Sequence, residues 1–133
     1  MAYMRLTMDG TTYRVRIVYN TLARAFSLIE GSNAGDMLSG RHERDLIGTG
    51  YTYEMGIEPE PQFQEDYDAF YDAISEPVDS HVITVPYGQT TMTYEAMIES
   101  GSDIYRGKLS TVNQWSGLVV RFRYITPQKE AAQ

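Results

Sequence analysis

YTYEMGIEPEPQFQEDYDAFYDAI, residues 51–74, changes its repeat half-way along. Tyr51, Tyr53, Met55 and Ile57 alternate with Thr52, Glu54, Gly56 and Glu58. A period of two is the pattern of a strand with one buried face. Pro59 and Pro61 end it, because proline cannot donate to a sheet ladder. Phe63, Tyr67, Phe70, Tyr71 and Ile74 then fall at i, i+4, i+7, i+8 and i+11, one helical stripe. This spacing predicts a helix over 62–75. Gln64, Glu65, Asp66, Asp68 and Asp72 cover its other side, with most acids in the early turns, where the helix dipole favours negative charge. Pro77 stops it.

Before this segment, Met4, Leu6 and Met8 alternate with Tyr3, Arg5 and Thr7. Asp9-Gly10 is a turn pair suited to positive φ. Tyr13, Val15 and Ile17 then alternate with Thr12, Arg14 and Arg16. A two-residue turn places Leu6 opposite Tyr13 and Met4 opposite Val15. The apolar residues then share one face and the three arginines the other. Residues 22–30, LARAFSLIE, fit two patterns. Leu22, Phe26 and Ile29 have helical spacing, whereas Leu22, Phe26 and Leu28 fit a strand. The Gly-rich turn that follows favours the strand. Residues 31–50 hold five Gly and no strong period, which predicts a long loop.

After the helix, SHVITVP (80–86) and TTMTYEAMI (90–98) form a second expected hairpin around Tyr87-Gly88-Gln89. A turn is expected at 101–103, and a last strand from Trp115 to Ile125. Pro127 ends it, and 128–133 reads as a flexible tail. The chain is expected to be one mainly-β domain over 1–127. About seven strands would form a β-sandwich or a partly closed barrel with one inserted α-helix. The candidate core is Leu6, Tyr13, Val15, Tyr53, Phe63, Tyr67, Phe70, Tyr71, Ile74, Trp115, Val120 and Phe122.

The 133 residues suit a single domain with a real core. No Cys is present, which excludes disulfides and thiolate chemistry. No apolar run approaches the ~20 residues of a membrane-spanning helix, and the N-terminus lacks the pattern of a signal peptide. The chain is therefore expected to be soluble and made inside the cell, with no membrane contact. A net charge of −7 argues against broad nucleic-acid binding. The eleven Tyr suit strands and interfaces.

No chemistry-bearing constellation stands out. The two His are His42, in the Gly-rich segment, and His81, at a strand start; a solvated loop residue and a strand-end residue are the simpler readings. No serine has a nucleophile-elbow context. The acids near the helix do not follow a calcium-loop order. The Gly-rich segment has no lysine and no strand–loop–helix setting for a phosphate. No catalytic residue, metal site or cofactor is expected.

Charge is segregated along the chain. Residues 1–44 carry six Arg against four acids, and 106–133 carry five Lys or Arg against one. The sixty-one residues between Arg44 and Arg106 hold thirteen acids and no Lys or Arg. Such a division is either an accident of solvated faces or a pair of complementary surfaces suited to head-to-tail contacts. On the second reading the candidate interface is Asn33, Asp36, Arg41 and Arg44 of the Gly-rich segment with Glu65, Asp68 and Asp72 of the helix.

Several segments together carry a family likeness: R-x-F-S-L-I-E-G-S-N-A-G at 24–35, R-D-L-I-G-T-G-Y-T-Y at 44–53 and Y-D-A-F-Y-D-A-I-S-E-P-V at 67–78. H-V-I-T-V-P-Y-G-Q at 81–89 and W-S-G-L-V-V-R-F-R-Y-I-T-P at 115–127 complete it. Over nearly its whole length the chain resembles a group of small proteins encoded among the tail genes of bacteriophages and prophages. The order of elements is also similar to the β-sandwich of tail-tube and distal-tail proteins, whose subunits form hexameric rings. The resemblance implies a non-enzymatic structural protein, a tube, hub or connector component. Its partners would be copies of itself, in a ring or stack, and other tail proteins. It would be found in the host cytoplasm when made and then in the virion tail. A second class of function remains beside it, a monomeric barrel or sandwich that binds a small ligand or carbohydrate.

Overall fold

The computed structural model describes residues 5–30, 35, 36, 42, 43 and 46–130. In chain order the elements are β1 (Leu6–Met8), β2 (Thr11–Tyr13), β3 (Val15–Ile17), β4 (Ala23–Glu30), β5 (Gly35–Asp36) and β6 (His42–Glu43). They continue with β7 (Leu46–Pro59), α1 (Gln64–Ile74), β8 (His81–Tyr87), β9 (Thr90–Leu109), β10 (Val112–Tyr124) and β11 (Lys129–Glu130). Nine strands make one antiparallel sheet, in the order β11-β7-β10-β9-β8-β1-β2, with β3 and β4 also paired to β7. β5 and β6 pair separately. The fold is mainly β with one helix. Among the described residues, the nine strands of the main sheet form a single antiparallel sheet that is not closed into a barrel.

It comes close. β2 pairs with β1 through Leu6↔Tyr13, as the turn chemistry predicts, while β3 pairs with β7 at the other side of the path. Only Arg14 separates β2 from β3, so the sheet curls until its two sides meet in consecutive residues. Val15 pairs with Pro59, and its expected partner Met4 lies outside the described residues. At the bend between β2 and β3, the Arg14 backbone N–H donates to the Asp66 carboxylate at 2.8 Å.

The interior is filled by side chains from β1, β3, β7, β8, β9 and β10 and from α1. Leu6, Met8, Val15, Tyr53, Met55, Ile57, Ile83, Val85, Leu118, Val120 and Phe122 are almost wholly buried, as are Tyr67 and Phe70 of the helix. Burying one such side chain contributes roughly 1.5–3 kcal/mol. Tyr13, Tyr71 and Trp115 are half-buried against this cluster. Phe63 differs from its expected core role. It is half-buried at the helix N-cap, with the Arg14 guanidinium 3.8 Å above its ring.

Three further expectations change. Residues 46–50 are strand rather than loop, because Gly48 and Gly50 leave room for other chain segments against β7. A Cβ on Gly50 would come within 2.4 Å of the Tyr124 ring, and one on Gly48 within 2.7 Å of the Pro127 side chain. The expected tail begins as a paired strand: Gln128 donates its N–H to Thr49 O and accepts from Tyr51 N–H, and β11 pairs with Thr49 and Gly48. The turn expected at 101–103 is absent, since β9 runs on to Leu109 and turns at Ser110, with φ 59°.

Candidate interaction surfaces

The charge division along the chain becomes pairing in space. Arg5 meets Glu60 at 2.9 Å, Arg16 meets Glu58 at 3.4 Å, and Arg14 meets Asp66 at 2.9 Å with Glu65 at 3.7 Å. The arginines at and around β1 to β3 thus lie against the acids that end β7, follow it and open α1. Much of the sequence asymmetry is satisfied within one molecule rather than offered to a neighbour. Of the candidate interface, Glu65 belongs to this network. Asn33, Arg41 and Arg44 lie outside the described residues, and Asp36 is placed only as part of β5.

Asp68 and Asp72 line a cleft of about 270 Å³ between α1 and the β9–β10 hairpin, with Tyr67, Tyr71, Asp103 and Trp115. The Tyr67 hydroxyl donates to Asp103 Oδ2 at 2.9 Å. Partial burial, followed by the neighbouring Asp72, Asp103 and Glu65, raises the Asp68 carboxyl above its ordinary range.

A second surface was not legible in the sequence. β4 is exposed on both faces from Ala23 to Leu28 and pairs with β7 alone among the described residues. Phe26 is 67% exposed and Leu28 43%. Leu46 and Ile47 at the start of β7 are exposed beside them. These residues read as core by type. Their exposure follows from a placement that local pattern does not encode.

The third surface is the outer half of the β9–β10 hairpin. From Gly101↔Val120 to Leu109↔Val112 it extends for about 25 Å. Ile104, Tyr105, Leu109, Val112 and Val119 are exposed along it. Tyr105 packs on Trp115 at 4.9 Å between ring centres, and Arg106 Nε donates to Ser116 Oγ at 3.0 Å. Local pairs of this kind brace an arm that has little core beneath it.

His81 is buried and structural. Its Nδ1 lies 2.6 Å from Asp9 Oδ2, and Val82 N–H donates to Asp9 Oδ1 at 2.8 Å. The pair locks the β1–β2 turn to β8. At the other side of β8, the Tyr51 and Tyr87 hydroxyls are 3.0 Å apart, with the Lys129 amine 5.7 Å from the Tyr87 ring centre. Lys129, and then Tyr51, pull the Tyr87 hydroxyl below its ordinary pKa. His42 lies in β6. Among the described residues no group of three or more His, Asp or Glu is arranged to hold a metal ion, and no helix is long and apolar enough to cross a membrane.

No family model matches the chain, and no curated protein matches it either.

Proposed function

We propose that this chain is a non-enzymatic structural protein that works through protein–protein assembly, as a component of a bacteriophage or prophage tail. The observation that carries the assembly reading is the exposed apolar sheet surface, on β4 and on the outer β9–β10 hairpin. Contiguous apolar surface of this kind marks an interaction site. The tail assignment rests on the sequence resemblance over nearly the whole chain. A packed interior adds support, because the buried side chains of the sheet and of α1 form one core cluster.

The alternative, a monomeric module for a small ligand or carbohydrate, has one specific observation in its favour. The cleft of Tyr67, Asp68, Tyr71, Asp72, Asp103 and Trp115 combines aromatic walls with carboxylates. Its volume is at or below the lower end for small-molecule sites.

Immunogold labelling decides between them. Antibodies to the purified protein are applied to particles induced from a strain that carries the gene. Gold confined to tails is the expected result. Purified particles without label, from cells that contain the protein, would overturn the tail reading.

A further inference from the structure

We infer that the cleft between α1 and the β9–β10 hairpin binds a small organic cation, an alkylated ammonium group held between aromatic rings and carboxylates. This inference rests on the small-ligand reading of that cleft and is independent of the tail reading. Tyr67, Asp68, Tyr71, Asp72, Asp103 and Trp115 line about 270 Å³. Three aromatic rings and three carboxylates thus share one space, and no Lys or Arg lines it among the described residues. On α1, Tyr67 with Tyr71 and Asp68 with Asp72 are each four apart, so they are neighbours on one side of the helix. β9 supplies Asp103 and β10 supplies Trp115.

The acids elsewhere around α1 meet arginines: Glu58 meets Arg16, Glu60 meets Arg5, and Asp66 meets Arg14. Asp68, Asp72 and Asp103 form no ion pair among the described residues. Asp103 is held at the wall by the hydroxyl of Tyr67, a residue only 1% exposed, at 2.9 Å. Partial burial and then the like charges of its neighbours raise the Asp68 carboxyl, as expected where negative charge has no counterpart. A metal ion is a poor match, because its ligands must converge on one point and no such group of three exists among the described residues. A neutral sugar would stack on the rings but leave three carboxylates without a countercharge. An alkylated ammonium satisfies both halves of the lining, since aromatic faces attract such a cation and carboxylates neutralise it. The walls are braced in advance. The Tyr105 ring packs on Trp115 at 4.9 Å, and Gln64 Nε2 donates to Gln114 Oε1 at 3.4 Å, tying the start of α1 to the residue before Trp115.

Trp115 is the single tryptophan of the chain, so tryptophan-selective fluorescence reports on this cleft alone. The full-length protein is titrated at fixed ionic strength with choline, with dimethylbutanol, its uncharged isostere carrying carbon in place of nitrogen, and with methyl glucoside. Choline should give a saturable change, and the isostere should bind at least about tenfold more weakly. Asp68→Asn combined with Asp72→Asn, both at exposed positions, should weaken choline by about tenfold, with the melting temperature showing that the fold is kept. The comparison of choline with its isostere on the native protein stands whether or not that variant folds. Isostere or glucoside binding as tightly as choline would overturn the cation inference while leaving a ligand site. Choline affinity indifferent to the two substitutions in a folded variant would overturn it as well. No response to any of the three compounds would overturn both the inference and the small-ligand reading.

Discussion

Asp66 accepts three hydrogen bonds from one residue, Arg14. The Arg14 backbone N–H reaches Oδ2 at 2.8 Å, its Nε reaches Oδ2 at 2.9 Å, and its Nη2 reaches Oδ1 at 3.0 Å. Asp66 stands in the first turn of α1, and Arg14 is the bend between β2 and β3. One carboxylate thus replaces the ladder bond missing where the sheet changes partner and ties the helix to that bend.

This relationship has a pH signature. The Arg14 side chain, then its backbone N–H, hold the Asp66 carboxyl at about 2, below its usual 3.8. The folded state therefore favours the ionised form. The resulting stability is present in full above pH about 4 and is lost as pH falls through about 2. Asp66→Asn should lower the melting temperature at neutral pH by a few degrees. It should also flatten the part of the acid-unfolding curve between pH 4 and 2, read by circular dichroism. An unaltered acid curve would show that the clamp contributes nothing.

Phe70 and Phe26 should respond oppositely to truncation. Phe70 is wholly buried and meets the Tyr13 ring edge-on at 5.3 Å. Phe70→Ala should cost about 3–5 kcal/mol in denaturant unfolding. Phe26→Ala, at an exposed position, should stay within about 0.5 kcal/mol.

Gly50 is required by contact rather than by backbone angle. Gly50→Ala would press its Cβ into the Tyr124 ring, so the melting temperature should fall by several degrees. Gly101→Ala, whose Cβ would meet nothing closer than 3.5 Å, should be tolerated much better. Differential scanning fluorimetry of the two variants separates these outcomes.

The legible part of the fold was the part where one face meets the core. Tyr51 to Ile57 and the Phe63–Ile74 stripe have clear periods because burial imposes them. The Leu6↔Tyr13 register followed from Asp9-Gly10, whose positive φ angles of 53° and 80° the turn requires. Residues 101–109 of β9 and 112–114 of β10 were missed because none of them is buried, so nothing selects an alternation, whereas the strand expected from Trp115 carries the buried Leu118 and Val120. β7 was cut short at Tyr51 because Gly48 and Gly50 look like loop, although they are the positions where Tyr124 and Pro127 cross the strand. The arginines of β1 to β3 were visible, but their partners lie more than forty positions away at Glu58, Glu60 and Asp66. The β4 edge could not be recognised at all, since Phe26 and Leu28 differ from core residues only in where the sheet ends.

The most direct test of action through assembly is sedimentation equilibrium of the full-length protein over a range of concentrations in low salt, beside Phe26→Lys. The account predicts an average mass that climbs with concentration in the native sequence and a flatter rise in the variant. A single monomeric species at every concentration would contradict it.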